Sequence, residues 1–228
     1  MSLSKSVQLH QEKVILAVAG IVILAIIATV TYFNVIKQEQ EKTKLPDTAA
    51  LSVKLGSSDA PQKMVVYTDP VCDKCAEYHE ETLKQVYDNY VKTDALQLEI
   101  RPLSIVTEQS ASLTELLMCG NEQNKYWQTT DFVYDALTRK NNQTMQINAA
   151  TFFIDFPAAE ISEIAGLDET QLSSCLDANR YQEKITQADQ AAYSVNVYST
   201  PTTFIGDREP IRGMSIYPFV ESLIKIEG

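Results

Sequence analysis

The stretch that decides the fold is MVVYTDPVCDKCAEYHEETLKQV, residues 64–86. It begins with a short apolar, β-branched run, Met64 to Thr68, which predicts a buried strand. Cys72 and Cys75 follow, three positions apart. From Cys75 to Val91 the apolar residues recur at helical spacing, which predicts a helix that begins at the cysteines. A pair of thiols therefore stands where a strand turns into a helix.

That position gives the two cysteines different chemistry. A thiol at a helix N-terminus faces unpaired N–H groups and the positive end of the helix dipole, which favours the thiolate of Cys72. Cys75 lies one turn further on the same helix face, close enough for a disulfide. We therefore expect Cys72 to be the nucleophile that attacks a foreign disulfide, and Cys75 to be the resolving thiol.

A metal site and a structural disulfide are alternatives for the same pair. A zinc site usually needs four ligands in two close pairs, and the sequence has no second close cysteine pair. Cys72, Cys75 and His79 form a C-x2-C-x3-H pattern that could bind copper or zinc, although a single helix histidine is more often an exposed residue. A disulfide within one turn closes a very short loop and would stabilise the fold little.

The rest of the sequence predicts the order β-α-β, a long helical block, then β-β-α. Residues 96–100 alternate between apolar and polar, the pattern of a second strand, and residues 108–196 show helical spacing almost throughout. Residues 202–205 predict a third strand, 210–212 a fourth, and 216–226 a closing helix. A strand, a helix and a strand at close spacing favour a right-handed parallel unit. The expected class is α/β, with a mixed four-stranded sheet, covering helices and a helical insertion.

At this point the sequence resembles a known family. Residues 64–86 are similar to the active-site segment of DsbA-type thiol:disulfide oxidoreductases of the thioredoxin superfamily, which carry C-x-x-C at a helix start. The run VNVYSTPTTFIGDREPIRG, residues 195–213, resembles their second signature, Thr-Pro before a strand. Residues 116–137 and 167–202 are similar to their inserted helices. The resemblance covers about residues 53–228 and implies a thioredoxin fold with an inserted helical subdomain.

The resemblance also implies a substrate groove beside the cysteines. In that family the proline of the second signature is cis and lies against the C-x-x-C pair. Pro201 is therefore expected to be cis, and Thr200 to face Cys72. Both would shape the groove through their backbone, with substrate docked as an extended chain.

The chain departs from the family pattern beneath the cysteines. Many relatives carry a buried acidic residue six positions before the first cysteine, where it accepts a proton. Here that position is Val66. Water, Asp69 or Glu77 would have to take the proton of Cys75 instead.

The two residues between the cysteines are also unusual, because DsbA-type oxidases often have Pro-His there. Asp73 should oppose the thiolate of Cys72, and Lys74 should favour it. We expect these two side chains to tune the redox potential in opposite directions.

The remaining cysteines are Cys119 and Cys175, both in the helical block. They match positions where some relatives have a second pair, so we expect a structural disulfide. The alternative is two separate buried thiols that act as small hydrophobes.

The composition of the chain also predicts a membrane anchor and a cellular compartment. The 228 residues carry a formal net charge of -11, which offers no basic surface for nucleic acid. Val14 to Ile36 is a run of 23 uncharged residues, long enough for a membrane span and longer than the apolar part of a typical cleaved signal. Two lysines precede the run and three follow it closely, so lysine counts do not set its orientation. Four cysteines in two plausible pairs indicate an oxidising compartment outside the cytoplasm for the C-terminal part.

The predicted organisation has four parts. Residues 1–13 form a cytoplasmic tail, 14–36 the transmembrane anchor, 37–50 a stalk, and 51–228 the thioredoxin-like domain, with its helical insertion at about 107–195. The predicted function is an extracytoplasmic, membrane-anchored thiol-disulfide oxidoreductase that introduces disulfides into secreted or surface proteins. A membrane partner would reoxidise it, and no metal or organic cofactor is implied. A disulfide reductase or isomerase of the same fold, and a copper-handling metallochaperone, are the alternatives.

Overall fold

The computed structural model describes most of the chain: residues 3–42, 45, 51–139, 149–206 and 208–227. The chain divides into two units, Met1–Lys44 and Leu45–Gly228. Part of the predicted stalk, residues 43–44 and 46–50, lies outside the described residues.

The first unit is one long helix, α1, Leu3–Lys42. Its apolar stretch, Ile15–Asn34, is 20 residues long, and its side chains are exposed. The hydroxyls of Thr29 and Thr31 donate to carbonyls three and four residues earlier at 2.9 Å, so these polar groups are satisfied within the helix. The length and composition fit a membrane span, and a signal sequence near an N-terminus has the same features.

The second unit is built on one sheet in the order β1-β3-β2-β4-β5. Its strands are β1 Val53–Leu55, β2 Lys63–Thr68, β3 Gln97–Pro102, β4 Thr202–Ile205 and β5 Ile211–Arg212. β2 and β3 are parallel, and the other neighbouring pairs are antiparallel. The predicted parallel β-α-β unit and the closing hairpin are therefore confirmed.

The sheet has one strand more than predicted. β1 is only three residues long and pairs with the outer side of β3, with Val53 opposite Ile100. A segment this short has too few residues to show an alternating pattern, and it becomes a strand because β3 offers a free edge.

Eight helices accompany the sheet in the described part of this unit. They are α2 at residues 73–91, α3 Ser110–Glu122, α4 Tyr126–Arg139, α5 Ala149–Asp155, α6 Ala158–Ala165, α7 Glu169–Asp177, α8 Gln182–Ser194 and α9 Tyr217–Glu227. The predicted helical block therefore contains six helices, α3 to α8, although residues 140–148 lie outside the described part.

Helix α2 changes its winding along its length. It alternates α-helical stretches, Asp73–Tyr78 and Lys84–Val86, with π-helical stretches, His79–Leu83 and Tyr87–Val91. Tyr78 is fully buried, and its hydroxyl accepts a hydrogen bond of 3.2 Å from Thr203 on β4. This contact holds the N-terminal part of α2 against β4 of the sheet.

β3 contains a buried ion pair. The alternation of Glu99 and Arg101 with apolar residues suggests a half-exposed strand, but these side chains are only 1% and 2% exposed. The Nε of Arg101 donates to Glu99 at 2.6 Å, and its Nη1 donates to the Tyr67 hydroxyl at 2.9 Å. Lys63 lies 2.6 Å from the other carboxylate oxygen of Glu99. Because β3 is buried on both faces, its charges pair with one another.

Helices α3 and α4 approach each other closely at Gly120. A Cβ at this position would lie 2.2 Å from Oγ1 and 2.9 Å from the Cβ of Thr129. Thr129 cannot turn away easily, since its hydroxyl donates to the Lys125 carbonyl at 2.7 Å and its Cβ is fixed to the backbone. The contact between these two helices therefore requires glycine.

We expect Gly120→Ala to lower the free energy of unfolding by about 1–3 kcal/mol through overpacking. The gain of about 1 kcal/mol in helix propensity should not offset the clash. Thermal unfolding of the full chain in detergent measures the effect. The double variant Gly120→Ala/Thr129→Ala should recover part of the loss, whereas a Gly120→Ala chain as stable as the parent would show that the helices are further apart.

Candidate active site

The two cysteines lie where β2 leads into α2, as expected. Cys72 is the residue that caps the N-terminus of α2, and its sulfur accepts a hydrogen bond from the backbone N–H of Cys75 at 3.2 Å. Cys72 is 6% exposed and Cys75 is fully buried. Both are free thiols in this structure. Both cysteines are therefore buried, and only Cys72 of the two keeps a small exposed fraction.

This arrangement separates the acidities of the two thiols. Hydrogen bonding from the Cys75 thiol, with further bonds from Thr200 and the Cys75 backbone N–H, lowers the pKa of Cys72 despite the opposing effect of burial. Burial, followed by the interaction with Cys72, raises the pKa of Cys75 well above its ordinary value. The two shifts therefore favour the thiolate form of Cys72 and the protonated form of Cys75, which suits a nucleophile and a resolving cysteine.

The Thr200–Pro201 peptide bond is cis and lies against the cysteines. The Cys72 sulfur donates to the Thr200 carbonyl oxygen at 3.4 Å. The segment is held by the closing hairpin, because the N–H of Gly213 donates to the Pro201 carbonyl at 2.8 Å. Thr200, Pro201 and Cys72 thus come together across 128 residues of sequence.

Asp69 fastens the turn that carries the cysteines. It is fully buried, and its carboxylate accepts from the backbone N–H groups of Val71 at 2.9 Å, Ile105 at 2.9 Å and Val106 at 3.0 Å. Burial raises the pKa of Asp69, while these bonds act in the opposite direction. Its backbone carbonyl accepts from the N–H of Cys72 at 3.1 Å. The carboxylate therefore connects the turn after β2 to the loop after β3 through these hydrogen bonds.

The other predicted tuning and relay residues are at the surface or apolar. Val66 is fully buried in β2. An aliphatic side chain therefore stands where many DsbA-type relatives are expected to carry a buried acidic residue. Lys74 lies 2.5 Å from Glu77, and that ion pair raises the pKa of Lys74. Asp73 is exposed. The opposite effects of Asp73 and Lys74 on the pKa of Cys72 stay a prediction. The ion pair with Glu77 should weaken the effect of Lys74, because it offsets the lysine charge.

The structure does not bring together the ligands of the metal alternative. Among the described residues, the only three potential ligand atoms within 4.8 Å of one another belong to Glu115, Cys119 and Cys175, not to a set containing His79. The expectation of an exposed His79 is also wrong. The residue is 4% exposed and its Nε2 lies 2.7 Å from Asp131, because α4 covers this face of α2.

Cys119 and Cys175 form a disulfide that joins α3 to α7, with their Cα atoms 5.8 Å apart. Glu115, one turn before Cys119, accepts the backbone N–H of Tyr181 at 3.0 and 3.1 Å at the start of α8. The disulfide and the Glu115 carboxylate therefore both connect helices of the insertion. A structural role for the disulfide stays our prediction.

The sequence did not indicate that Tyr134 belongs to the site. Tyr134 packs in one buried cluster with Cys72, Cys75 and Ala76. Its hydroxyl donates to the Asp69 carbonyl at 3.3 Å. The residue lies about sixty positions away on an inserted helix, and its spacing indicated only core packing.

Comparisons with known proteins agree with this geometry. A family model described as Thioredoxin matches residues 48–220. A curated protein of Bacillus anthracis named as a disulfide bond formation protein D is 20% identical over 191 residues, which cover 82% of this chain and 84% of that protein. One of Rickettsia typhi named as a protein-disulfide oxidoreductase is 20% identical over 173 residues, which cover 73% of this chain and 61% of that protein.

Solved structures show the same fold. Oxidised BdbD of Bacillus subtilis matches with a TM-score of 0.63 and 16% identity over 76% of this chain and 91% of its own. Wolbachia pipientis alpha-DsbA1 matches with a TM-score of 0.62 and 17% identity over 80% of this chain and 92% of its own. The predicted thioredoxin-like fold with a mixed sheet and inserted helices is confirmed.

The Thr200 hydroxyl is a testable contributor to the acidity of the pair. Its oxygen is buried and has no hydrogen-bond partner among the described residues, and the side chain lowers the pKa of both Cys72 and Cys75. A hydrogen bond to a charged group contributes about 1.5–3 kcal/mol, so Thr200→Val should lower the thiolate fraction of Cys72 at neutral pH on the order of tenfold.

Ultraviolet thiolate absorbance as a function of pH measures this fraction in the reduced protein. Thr200→Ser keeps the hydroxyl and should behave like the parent. A Thr200→Val protein with an unchanged titration would show that the hydroxyl does not act on the thiolate.

Proposed function

The chain belongs to the thioredoxin family, and we propose that it introduces disulfide bonds into extracytoplasmic proteins through Cys72 and Cys75. The prediction of a DsbA-type protein-disulfide oxidoreductase is confirmed at the level of class by the family match and the curated relatives. The site, the direction of electron flow and the location are our proposals.

The observation that carries the proposal is the placement of the two thiols at the start of α2. Cys72 caps the helix and accepts the N–H of Cys75, whereas Cys75 is fully buried. A low pKa makes Cys72 a good leaving group and stabilises the reduced pair, which is the property of an oxidant. Burial raises the pKa of Cys75 and so favours its protonated form. The reduced enzyme therefore holds its two electrons more readily than an ordinary dithiol does.

In the proposed reaction the enzyme begins as the Cys72–Cys75 disulfide. A substrate thiolate attacks the sulfur of Cys72, a substrate–Cys72 bond forms, and the bond to Cys75 breaks. Cys75 leaves as a thiolate and takes up a proton, in keeping with its raised pKa. A second substrate thiolate then attacks the substrate sulfur, which releases Cys72 as a thiolate and leaves a disulfide in the substrate.

Each cycle moves two electrons from the substrate dithiol to the enzyme, so the enzyme must be reoxidised. We propose a membrane partner that accepts these electrons. The same chemistry in reverse would make a reductase, and repeated exchange would make an isomerase. The lowered pKa of Cys72 favours the oxidase direction over both.

The groove beside Pro201 suits an extended cysteine-containing chain. The Thr200 carbonyl already contacts the Cys72 sulfur, so a peptide laid along this segment would present its own sulfur to Cys72. We propose secreted or surface proteins as substrates, recognised through their backbone at Thr200 and Pro201.

We also propose that α1 anchors the enzyme in the membrane. Its apolar stretch Ile15–Asn34 would span the bilayer, with residues 1–13 in the cytoplasm and residues 51–228 on the extracytoplasmic side. The Cys119–Cys175 disulfide supports this orientation, because such bonds persist in oxidising compartments.

Removal of the resolving thiol should trap substrates. We expect Cys75→Ala to accumulate mixed disulfides through Cys72, because no second thiol can displace the bound protein. Non-reducing electrophoresis of membranes, with mass mapping of the adducts, measures the effect in cells.

Cys72→Ala, which keeps Cys75, is the matched control and should form few adducts because Cys75 is buried. If adducts form mainly on that variant, the two roles are reversed. If the trapped proteins are cytoplasmic, the proposed location is wrong.

A further inference from the structure

An inserted helix encloses the resolving cysteine. Tyr134 on α4 shares one buried cluster with Cys72, Cys75 and Ala76 and is itself 6% exposed. Its hydroxyl donates to the Asp69 carbonyl, which also accepts the N–H of Cys72. The ring therefore lies against the thiol pair, and its far end is bonded to the turn that carries the pair.

His79 lies behind Tyr134 and is also buried. The centres of the two rings are 5.4 Å apart, and the imidazole also contacts Trp127, with ring centres 4.5 Å apart. Trp127 stacks in turn on Tyr87 with an interplanar angle of 17°. The imidazole on α2 thus packs against two aromatic rings of α4.

A carboxylate fixes this imidazole. Asp131 on α4 lies 2.7 Å from the Nε2 of His79 and 3.3 Å from the Nζ of Lys84, which also bonds to Glu80. These groups line a surface cleft together with Asp135. The pair of His79 and Asp131 therefore connects α2 to α4 beside the Tyr134 ring.

We propose that His79, held by Asp131, is a positioning residue that keeps the Tyr134 ring over Cys75 and so keeps water from the resolving thiol. The inference rests on the proposed function of the cysteine pair. The helical insertion then contributes to the active site, because its helix α4 limits the reactivity of Cys75.

The physical consequence is a protected resolving thiol. Burial is the largest cause of the raised pKa of Cys75, so any change that admits water should lower that pKa. In the described part of the chain, the titratable residues that interact with Cys75 are Cys72, Asp69, Tyr126 and Tyr134. Cys72 dominates these, so the test removes it.

The experiment follows alkylation of Cys75 by iodoacetamide in the full-length Cys72→Ala chain, where Cys75 is the one cysteine outside a disulfide. In that background Tyr134→Ala should accelerate alkylation at neutral pH about tenfold or more and move its pH profile to lower pH, because the thiol becomes hydrated. His79→Ala should act in the same direction by roughly threefold or more, since Tyr134 loses its support.

A conservative variant and a control outside the cysteine cluster separate positioning from general destabilisation. Tyr134→Phe keeps the ring and should restore the slow rate. Phe152→Ala, a fully buried aromatic of α5 that lies outside the cysteine cluster, should destabilise the insertion without accelerating alkylation. The proposal is overturned if His79→Ala leaves the rate and the pH profile unchanged, or if Phe152→Ala changes them as much as Tyr134→Ala does.

The assay does not depend on turnover. Failure of the proposed function would appear as absent exchange in the parent chain with both cysteines, whatever the alkylation rates of Cys75. Failure of the positioning role would appear in the alkylation rates of an enzyme that still exchanges disulfides.

Discussion

The active site depends on the buried carboxylate of Asp69. Three backbone N–H groups, from Val71 and from the loop at Ile105 and Val106, converge on it. A buried carboxylate is costly to leave unpaired, and these donors compensate it while joining the end of β2 to the loop after β3. The geometry at Cys72 follows, because the Asp69 backbone carbonyl receives the N–H of Cys72 and so sets where α2 begins.

Local patterns predicted the parts of the site that are close in sequence. The apolar run before the cysteines and the helical spacing after them correspond to β2 and α2. The Thr-Pro signature needed the family resemblance, since nothing in the spacing of Thr200 and Pro201 indicates that they approach Cys72. These features could be found because one strand, one helix start and one turn each have a recognisable local sequence.

Contacts between distant segments could not be predicted in this way. β1 is a strand only because β3 leaves an edge free, and Glu99 is buried because Arg101 and Lys63 compensate its charge. His79 looked like an exposed helix residue or a metal ligand, but α4 covers it. Each of these outcomes is decided by which surfaces meet in the folded chain, and no periodicity in a single segment encodes that.

The most direct measurement is the equilibrium of the full-length protein with glutathione redox buffers, with the state of each cysteine read by mass mapping. We predict that Cys72 and Cys75 interconvert between dithiol and disulfide at a potential between about -120 mV, that of a strongly oxidising DsbA, and about -270 mV, that of thioredoxin. Cys119–Cys175 should stay oxidised throughout that range. A Cys72–Cys75 pair that does not exchange, or one with a potential below about -270 mV, would contradict the account of this protein as an oxidase.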